Sequence, residues 1–338
     1  MNQKEKYNII TRNLQEVIGE DELKKSLSSK KEFSVYWGTA ITSSISIAYF
    51  FPMLKVADLL NAECKVKILF ADLHGSLDAT SWEDLDKRYS YYKEAITTIL
   101  KTLKVPTKNL TFVKGSSFQT SKEYAGDLLK LSTFASVHDA KKASSDVVKQ
   151  SDSPKLSGLI YPLMQALDEE YLKVDAQLGG NDQRKIMVFA RENLPKLGYN
   201  SRIELLNPII RGLVGEKMSS SDSASKIDLM DCPEDVAKKI KKADCAPGKT
   251  DNGIMALLKY LIFVIKENNL EKFVIKRPEK FGGDVSYSSY AEFEKDFVAG
   301  NVHPLDVKNA LTDEINLLLD SFRGNKKLVG LFEAAYKN

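Results

Sequence analysis

One short segment combines a lysine with a run of hydroxyl side chains, a set of groups that can bind phosphate. It reads LVGEKMSSSDS, from Leu213 to Ser223, and shows no apolar pattern of a helix or strand. A flexible lysine is a point charge, and serine hydroxyls and loop N–H groups donate hydrogen bonds to anionic oxygens. A solvated linker would have the same composition. The segment is therefore either a phosphate-binding loop or a linker, and its surroundings must decide.

A second group of polar side chains has the spacing of one helix face. Tyr161, Gln165 and Asp168 lie at i, i+4 and i+7 in YPLMQALDEEY, which places them on one side of an α-helix. Further along, Gly179 and Gly180 in QLGGNDQ would let the backbone approach a nucleotide closely. Both patterns have ordinary alternatives, a polar helix face in the first case and a simple turn in the second.

Strand and helix patterns alternate in the first two thirds of the chain, and they predict the elements that position these groups. Apolar runs ending in glycine predict buried strands at EFSVYWG, KVKILFADLHG, TFVKG and YLKVDAQLGG. Predicted helices are NDQRKIMVFARENL and WEDLDKRYSYYKEAITTILKTLKV, the second with one apolar face formed by Leu85, Tyr89, Tyr92, Ile96, Ile99 and Leu103. This alternation predicts an α/β fold, a parallel sheet with helices on both faces. Ligands in such folds bind beyond the carboxyl ends of the strands, where YWG, ADLHG and QLGGNDQ lie.

The character of the sequence changes after SKIDLMD. The segment CPEDVAKKIKKADCAPGKTDNG is basic and is punctuated by proline and glycine. The remainder, including YAEFEKDFVAG and PLDVKNALTDEINLLLDSFR, has helical patterns. We therefore predict a domain boundary near Asp228, with a first domain of residues 1–227 and a smaller helical domain of residues 228–338.

Composition argues against several classes of protein. The chain has 338 residues and a formal net charge of +3, which is too small to imply nucleic-acid binding by itself. Its three cysteines, Cys64, Cys232 and Cys245, have no CxxC spacing, which favours reduced thiols in a cytosol. No segment has the apolar length of a membrane span. The polar, acid-rich N-terminus is helical in pattern and lacks the features of a signal or transit peptide. We expect a cytoplasmic protein with no membrane contact.

The motifs together resemble a family. Residues 217–221, KMSSS, match the KMSKS-type signature of class I aminoacyl-tRNA synthetases, and the chain resembles the tyrosyl-tRNA synthetases of the eukaryotic and archaeal type essentially from end to end. The resemblance is carried by TRNLQEV, YWGTA, ILFADLHG, SKEY, VVKQ, SGLIYPLMQALDEEYLKVDAQLGGNDQRK, KMSSSD, SKIDL and HPLDVKNA. It implies a homodimer with a Rossmann-type catalytic domain and a C-terminal helical anticodon-binding domain. It also implies that the KMSSS loop closes over ATP and stabilises the charge on the departing pyrophosphate, with catalytic roles for Lys217, Ser219 and Ser220.

The resemblance further implies which residues bind tyrosine. The positions that match the family's pocket are Tyr36, His74, Phe118, Gln119, Tyr161, Gln165, Asp168 and Gln183. Among these, Tyr36 and Asp168 match the pair that hydrogen-bonds the substrate phenol. Tyr161, Gln165 and Gln183 match the residues around the ammonium and carboxylate. For His74, a structural histidine at a strand end is an equally good interpretation.

Two other sites follow from the same resemblance. The positions that match ATP-binding residues are Gly38, Gly180, Asp182, Lys217 and Met218, with Asp182 at the residue that bonds the ribose. Phe281 in EKFGGD and Asp306 in HPLD match the pair that reads the first anticodon base, since a ring can stack on a base and a carboxylate can accept from its edge. A core phenylalanine and an exposed aspartate at a helix start would look the same.

One family signature is altered in this chain. The HIGH-type motif, in which a glycine, a basic residue and then a histidine open a helix, belongs after YWGTA. This chain reads ITSSISIAYFFP there, with Ser43 at the glycine, Ser44 at the basic residue and Ser46 at the histidine, so that Ser46 is the fourth candidate catalytic residue. A helix N-terminus and serine hydroxyls can still meet phosphate, but the imidazole is missing. Losing one preorganised donor typically costs about 10²–10³ in rate, which puts full catalytic power in question.

The resemblance therefore implies an enzyme that activates tyrosine with ATP and Mg²⁺ and then transfers the tyrosyl group to tRNA(Tyr), with no metal held by the protein. The altered serine segment keeps open a catalytically weakened paralogue that binds tyrosine or tRNA as a regulator. A tryptophan-specific relative is a third reading, opposed by Tyr36 and Asp168.

Overall fold

The computed structural model describes residues 1–29, 32–78, 80–147, 155–215 and 225–337. Its strands are β1 Glu16–Ile18, β2 Ser34–Ala40, β3 Lys65–Ala71, β4 Leu110–Lys114, β5 Ala176–Gly180, β6 Ile203–Asn207, β7 Phe273–Ile275 and β8 Val285–Tyr287. Its helices are α1 Gln3–Thr11, α2 Glu20–Ser28, α3 Phe50–Asn61, α4 Asp72–Leu77, α5 Leu85–Thr102, α6 Ser116–Gln119, α7 Lys122–Phe134, α8 Val137–Ser144, α9 Leu156–Tyr171, α10 Arg184–Asn193, α11 Pro233–Lys242, α12 Gly253–Leu257, α13 Phe263–Asn269, α14 Tyr290–Val298, α15 Pro304–Arg323 and α16 Lys326–Tyr336.

Internal contacts divide the chain into two compact units. The first unit is assembled from Met1–Thr42, Leu54–Lys93 and Lys104–Ile209. The second is assembled from Ser43–Met53, Glu94–Leu103 and Ile210–Asn338. Two short internal segments, 43–53 and 94–103, thus contribute to the second unit although they lie far upstream of the predicted boundary near Asp228.

The first unit contains a six-stranded sheet in the order β1-β6-β5-β2-β3-β4. All neighbouring strands are parallel except β1, which pairs antiparallel with β6. The chain proceeds from β2 to β3 and β4 on one side, and β5 and β6 then add to the other side of β2. The strand order therefore reverses between β2 and β5, the position where parallel α/β sheets bind ligands.

Both faces of this sheet are covered. In β2 the consecutive residues Val35, Tyr36 and Trp37 are all buried, and in β5 Ala176 to Gly179 are all buried. Successive strand residues point to opposite faces, so burial of consecutive residues requires cover on both sides. The expected α/β architecture with a parallel sheet is confirmed.

Helix α9 organises a large part of the core of this unit. Its apolar residues pack with residues of α7, α8 and α10 in one buried cluster, which includes Tyr124, Leu131, Ala140, Ala143, Tyr161, Leu163, Met164, Ala166, Leu167, Ile186, Phe189 and Ala190. Side-chain caps define the starts of two of these helices. Ser121 caps α7 by accepting from the Tyr124 N–H, and Ser136 with Asp139 forms a capping box at α8. The helix that carries the predicted pocket residues is therefore held on several sides.

The second unit is mostly helical, with one short antiparallel sheet formed by β7 and β8. Its core includes stacked and edge-on aromatic rings, among them Phe263, Phe273, Tyr287, Phe293 and Phe297. Helix α15 begins with Pro304 at its first position, and His303 accepts from the Leu305 N–H at the cap. No helix among the described residues has the length and apolar character that a membrane crossing requires.

Several boundaries differ from the sequence predictions. The run KVKILFADLHG is a strand only to Ala71, because Asp72 begins α4 and its carboxylate accepts the Ser116 N–H at 2.8 Å. The run YLKVDAQLGG becomes a strand only at Ala176, since Tyr171 still belongs to α9. The N-terminal segment predicted as helical is split by β1. The strands β1, β6, β7 and β8 were not predicted.

Candidate active site

The carboxyl group of Asp168 lies at the centre of a buried polar cluster in the first unit. Its Oδ1 accepts from the Gln119 amide at 2.8 Å and from the Tyr124 hydroxyl at 2.9 Å. His74 Nε2 lies 3.9 Å from Oδ2, and the Gln119 amide lies 3.5 Å from His74 Nδ1. Asp168 belongs to α9, Gln119 to α6 and His74 to α4. The structure therefore brings three of the predicted pocket residues into one cluster.

Burial controls the charge of this cluster. It raises the pKa of Asp168 to about 7, although the hydrogen bonds from Gln119 and Tyr124 act in the opposite direction. Burial also lowers the pKa of His74 to about 4, with the Tyr161 main chain partly offsetting it. His74 is consequently neutral at pH 7, and its contact with Asp168 is not an ion pair. The site presents a buried carboxyl group that is poised between its two protonation states.

Tyr36 supplies a second buried hydroxyl. Its side chain packs among Leu69, Ala71, Leu172 and Val174, and its Oη has no hydrogen-bond partner among the described residues. Burial raises the pKa of Tyr36 well above its usual value, so the phenol stays protonated. An unpaired buried hydroxyl costs free energy unless a ligand or a water satisfies it. Tyr36 can therefore donate to, or accept from, a polar group of a ligand.

Two further pairs of predicted residues are in contact. The ring of Tyr161 meets that of His74 edge-on, with the centroids 4.7 Å apart. The Gln165 amide donates to Gln183 Oε1 at 3.2 Å. Both Tyr161 and Gln165 belong to α9, as their spacing from Asp168 predicted, while Gln183 follows the end of β5. Contact between these side chains is observed, and their roles in binding a substrate stay predictions.

Phe118 packs close to Tyr36, and its role as a pocket residue stays a prediction. It packs beside the cluster that contains Tyr36, and its ring stacks on Tyr171 with the centroids 6.4 Å apart and the planes at 11°. Its distance to the Tyr124 ring is 5.8 Å. Phe118 therefore belongs to the apolar wall that keeps water from the buried hydroxyl groups.

Of the predicted nucleotide residues, Gly38 lies in the second half of β2, Gly180 ends β5 and Asp182 follows it. A Cβ added to Gly180 would come within 2.6 Å of Asp182 Oδ1, and one added to Gly179 would come within 2.5 Å of Met187 Cε. A side chain at either position would therefore require the flexible end of the Asp182 or Met187 side chain to move. A Cβ at Gly38 would meet the Tyr36 ring at 3.4 Å, an ordinary contact. A role for Gly38, Gly180 or Asp182 in binding ATP is not tested by these contacts.

One residue of the cluster, Tyr124, is not among the predicted site residues. Its hydroxyl lies 2.8 Å from the Met164 carbonyl oxygen as well as 2.9 Å from Asp168. Tyr124 stands in the first turn of α7, which the Ser121 cap places. The segment SKEY was part of the family resemblance, but nothing in its residue types indicated a contact with a carboxylate far along the chain.

Comparison with known proteins identifies the family. The sequence profile of the family "tRNA synthetases class I (W and Y)" matches residues 28–320. The chain is 51% identical to the cytoplasmic tyrosine–tRNA ligase of Gallus gallus over 99% of this chain and 64% of that protein. It is 47% identical to a probable cytoplasmic tyrosine–tRNA ligase of Encephalitozoon cuniculi over 93% of this chain and 94% of the relative. A crystal structure of tyrosyl-tRNA synthetase from Archaeoglobus fulgidus, complexed with L-tyrosine, has a TM-score of 0.88 at 37% identity, covering 97% of this chain and 100% of that one.

The chain belongs to the class I tRNA synthetase family, in its tyrosyl branch. It spans less than two thirds of the length of the vertebrate relatives that it matches. The family resemblance inferred from the motifs is confirmed, and the fold agrees with that of the tyrosyl-tRNA synthetase structures.

The altered family signature lies in the second unit, where we call Ser43 to Ser46 the serine segment. The Ser44 hydroxyl donates to Asp228, and Lys226 Nζ lies 3.4 Å from the Ser44 carbonyl oxygen. The main chain beside Ser46 pairs with a downstream segment, since the Ile47 N–H donates to the Ile227 carbonyl at 2.8 Å.

Ser46 itself is buried and precedes a 3-10 turn, Ile47–Tyr49, that leads into α3. It occupies the cap position, but its side chain makes no capping bond to that turn. The other family signature, with Lys217, Met218, Ser219 and Ser220, lies outside the described residues.

The predicted anticodon residues both lie in the second unit. Phe281 ends a 3-10 turn after β7, its side chain is 61% exposed, and Lys280 Nζ lies 5.0 Å from its ring centroid. Asp306 stands in the first turn of α15 and is half-buried. Arg277 links the two segments, because its side chain donates to the carbonyls of Gly283 and Asn301 at 2.9 Å each. An exposed ring on a braced turn is available for stacking, whereas a core phenylalanine would be buried.

Proposed function

We propose that this chain is a tyrosine–tRNA ligase of cytoplasmic translation. Two observations carry this proposal: Asp168 is buried and hydrogen-bonded on Oδ1, and the buried hydroxyl of Tyr36 has no partner among the described residues. A substrate phenol can donate to the carboxylate and accept from the Tyr36 hydroxyl at the same time. Family membership and the tyrosine-named relatives support the same substrate.

The pocket also explains which amino acids would be rejected. Phenylalanine has no hydroxyl, so on binding it would leave the Tyr36 hydroxyl unpaired, at about 1–3 kcal/mol. Asp168 would keep its bonds from Gln119 and Tyr124 but gain none from the ligand. The indole of tryptophan can donate but cannot accept a hydrogen bond, so Tyr36 would lose its partner. Tyr161, Gln165 and Gln183 would hold the ammonium and carboxylate of the substrate.

The chemistry is an in-line attack of the tyrosine carboxylate on the α-phosphorus of ATP, which forms tyrosyl-adenylate and releases pyrophosphate. The tyrosyl group then passes to the terminal adenosine of tRNA(Tyr). No covalent intermediate with the protein is needed, so catalysis consists of positioning and charge stabilisation. Lys217, Ser219 and Ser220 would act on the phosphates, Met218, Gly38 and Gly180 would line the ATP site, and Asp182 would hold the ribose.

Magnesium would enter with ATP as part of the substrate. Among the described residues, no group of three or more His, Cys, Asp or Glu side chains is placed to hold a metal ion. The partners in this proposal are tyrosine, ATP, tRNA(Tyr) and a second copy of the chain in a homodimer. Residues 1–227 would form the catalytic domain, and residues 228–338 would bind the anticodon through Phe281 and Asp306.

One observation favours a second function, a weakened paralogue that binds tyrosine or tRNA as a regulator. The serine segment holds no imidazole, and the Ser44 hydroxyl bonds to Asp228. Pyrophosphate exchange, measured separately with tyrosine, tryptophan and phenylalanine, distinguishes the ligase from the paralogue. The ligase predicts exchange with tyrosine only. Tyrosine binding without exchange would establish the paralogue, and exchange with tryptophan would overturn the assigned specificity.

A further inference from the structure

Helices α7 and α9 exchange two hydrogen bonds of the same type. Tyr124 of α7 has its hydroxyl 2.9 Å from Oδ1 of Asp168 on α9. In the opposite direction, the Tyr171 hydroxyl of α9 donates to Oδ2 of Asp127 on α7 at 2.8 Å. Within each helix the tyrosine and the aspartate are three positions apart, so they lie on the same face. We call these four residues the tyrosine–aspartate clasp.

Asp127 belongs to the half of the clasp outside the predicted site, and it is a buried anchor. Its Oδ2 also accepts from the Tyr199 hydroxyl, and its Oδ1 accepts from Lys130 at 3.0 Å. Burial raises the pKa of Asp127, but the hydrogen bonds from Tyr199 and Tyr171 oppose it and leave that pKa below its usual value. The carboxylate is therefore ionised at neutral pH, and hydrogen bonds to an ionised acceptor are strong. The Tyr171 hydroxyl is consequently held in one place.

The Tyr171 ring connects this anchor to the predicted pocket. It meets the Tyr124 ring edge-on, with the centroids 4.8 Å apart and the planes at 64°. It also stacks on Phe118, whose own ring lies 5.8 Å from that of Tyr124. These are the arrangements that aromatic pairs prefer. Since each of the three rings contacts the other two, a displacement of Tyr171 would displace Tyr124 as well.

The orientation of the Tyr124 ring matters because its hydroxyl has two acceptors within reach. The Met164 carbonyl oxygen lies 2.8 Å from it, and Asp168 Oδ1 lies 2.9 Å from it. A hydroxyl has one proton, so it can donate fully to one acceptor at a time. Because the two distances are nearly equal, a small rotation of the ring decides between the main chain and the carboxylate. Whatever fixes the ring therefore controls the support that Asp168 receives.

We propose that Asp127 is a positioning residue for the tyrosine pocket and acts through Tyr171. It fixes the hydroxyl of Tyr171, whose ring then holds Tyr124 in the orientation that donates to Asp168. With this donor in place, Asp168 ionises more readily and can accept the substrate phenol. This inference rests on the proposed tyrosine site, and it extends control of tyrosine recognition to a residue outside the predicted pocket.

A double-mutant cycle on tyrosine binding by the full chain tests the path through Tyr124. Tyr171→Phe keeps the ring but removes its anchor, and calorimetric tyrosine affinity should weaken by about two- to threefold, close to the value of one hydrogen bond. In a Tyr124→Phe background the same substitution should have no further effect, because the hydroxyl that it positions is gone. Asp127→Leu, of similar size but without an acceptor, should weaken binding at least as much as Tyr171→Phe. Unchanged affinity in Tyr171→Phe, or an equal loss in both backgrounds, would overturn the positioning role.

Tyr199→Phe is the matched control. Tyr199 donates to the same carboxylate oxygen of Asp127, but no ring contact joins it to the three rings among the described residues. Tyr199→Phe should therefore leave tyrosine affinity unchanged, and thermal unfolding checks that both variants fold. A loss of affinity equal to that in Tyr171→Phe would mean that Asp127 stabilises the fold without positioning the pocket.

The titration of Asp168 gives a second readout, which needs no bound ligand. Burial raises the pKa of Asp168 to about 7, and the hydrogen bonds from Gln119 and Tyr124 lower it. Weakening a bond to the charged form raises the pKa of an acid, so Tyr171→Phe should raise that of Asp168, in the same direction as Tyr124→Phe. Carbon-13 NMR of labelled aspartate carboxyl groups measures this pKa, and the Asp168 signal is assigned by its loss in Asp168→Asn. The other titratable groups that face Asp168 are unaltered in these variants: Asp72 and His74 from α4, Glu169 from α9 and Tyr36 from β2.

The two readouts also separate the positioning role from the proposed function. If the wild type bound no tyrosine, the proposed function would fail, while the Asp168 titration would still decide whether Tyr171 positions Tyr124. An Asp168 pKa that is the same in the wild type and in Tyr171→Phe would overturn the positioning role. An equal shift of that pKa in Tyr199→Phe would overturn it as well.

Discussion

The proposed tyrosine pocket around Asp168 and the serine segment differ in the groups to which their polar side chains are bonded. In the pocket, Gln119 and Tyr124 orient Asp168, while the Tyr36 hydroxyl stays without a partner among the described residues. In the serine segment, the Ser44 hydroxyl is bonded to Asp228, and burial raises the pKa of that aspartate. In the proposed function the pocket receives the phenol of the substrate, whereas the serine segment is bonded within its own unit. We therefore expect that substitutions can separate tyrosine binding from stabilisation of phosphate charge.

The largest effect is expected from Lys217, whose loss should slow the phosphate chemistry without weakening amino-acid binding. Lys217→Ala should slow adenylate formation by about 10²–10³, and tyrosine affinity should hardly change. A charge that acts on the departing pyrophosphate contributes to the transition state and not to the bound amino acid. Single-turnover kinetics and calorimetry measure the two quantities. Wild-type kinetics in the variant would mean that the KMSSS segment is a linker.

Substitution of Asp168 should affect tyrosine binding in the first place, unlike substitution of Lys217. Asp168→Ala should weaken tyrosine binding by about 10- to 100-fold, because the phenol loses its acceptor and two buried donors, Gln119 and Tyr124, lose their partner. The preference for tyrosine over phenylalanine should shrink as well. Asp168→Asn, which keeps the shape and one acceptor, should lose less. Unchanged tyrosine affinity in Asp168→Ala would remove this residue from the pocket.

The anticodon residues should affect a different step from the pocket. Phe281→Ala and Asp306→Ala should each reduce charging of tRNA(Tyr) by about tenfold, which is the scale of one lost stacking contact. Neither variant should change tyrosine-dependent pyrophosphate exchange. Aminoacylation and exchange assays on the same preparations measure both. Leu305→Ala, at a 50% exposed neighbour on α15, is a control. Equal losses in both assays would indicate structural damage.

The smallest effect concerns Tyr124, whose hydrogen bond lowers the pKa of Asp168. Tyr124→Phe should weaken tyrosine binding by about threefold at neutral pH, the value of one hydrogen bond. Because the phenol donates best to ionised Asp168, affinity should rise as pH rises through the pKa of Asp168, which lies at about 7. In Tyr124→Phe that pKa is higher, so the rise should move to higher pH. A pH profile identical to that of the wild type would show that Tyr124 does not act through Asp168.

Much of the fold and part of the site could be predicted from local patterns. The helix PLDVKNALTDEINLLLDSFR was predicted with the bounds that α15 has, because Pro304 and the apolar periodicity mark it clearly. The helical spacing of Tyr161, Gln165 and Asp168 likewise placed them together on α9. Such features depend on the nearest neighbours in sequence, which a single chain displays.

Features that depend on distant contacts could not be predicted. Tyr124 matters because its hydroxyl meets Asp168, which lies 44 positions away. Glu204 looks like an exposed residue by type, yet it is buried in β6, a strand that the patterns did not indicate. The segments 43–53 and 94–103 join the second unit through tertiary contacts alone. Residue type and periodicity carry no information about such partners.

We propose that the chain retains tyrosine recognition but lacks a phosphate-side contact at Ser46. A serine hydroxyl is shorter than an imidazole and neutral, so it cannot easily reach the same oxygen. The direct test is single-turnover adenylate formation by the natural chain, by Ser46→His, and by a triple variant with Ser43→Gly, Ser44→Lys and Ser46→His, with tyrosine affinity measured for each. We expect similar affinities, a slow natural chain, and a gain of up to about 10²–10³ in rate on restoring the motif. A natural chain that already matches the triple variant would contradict the account.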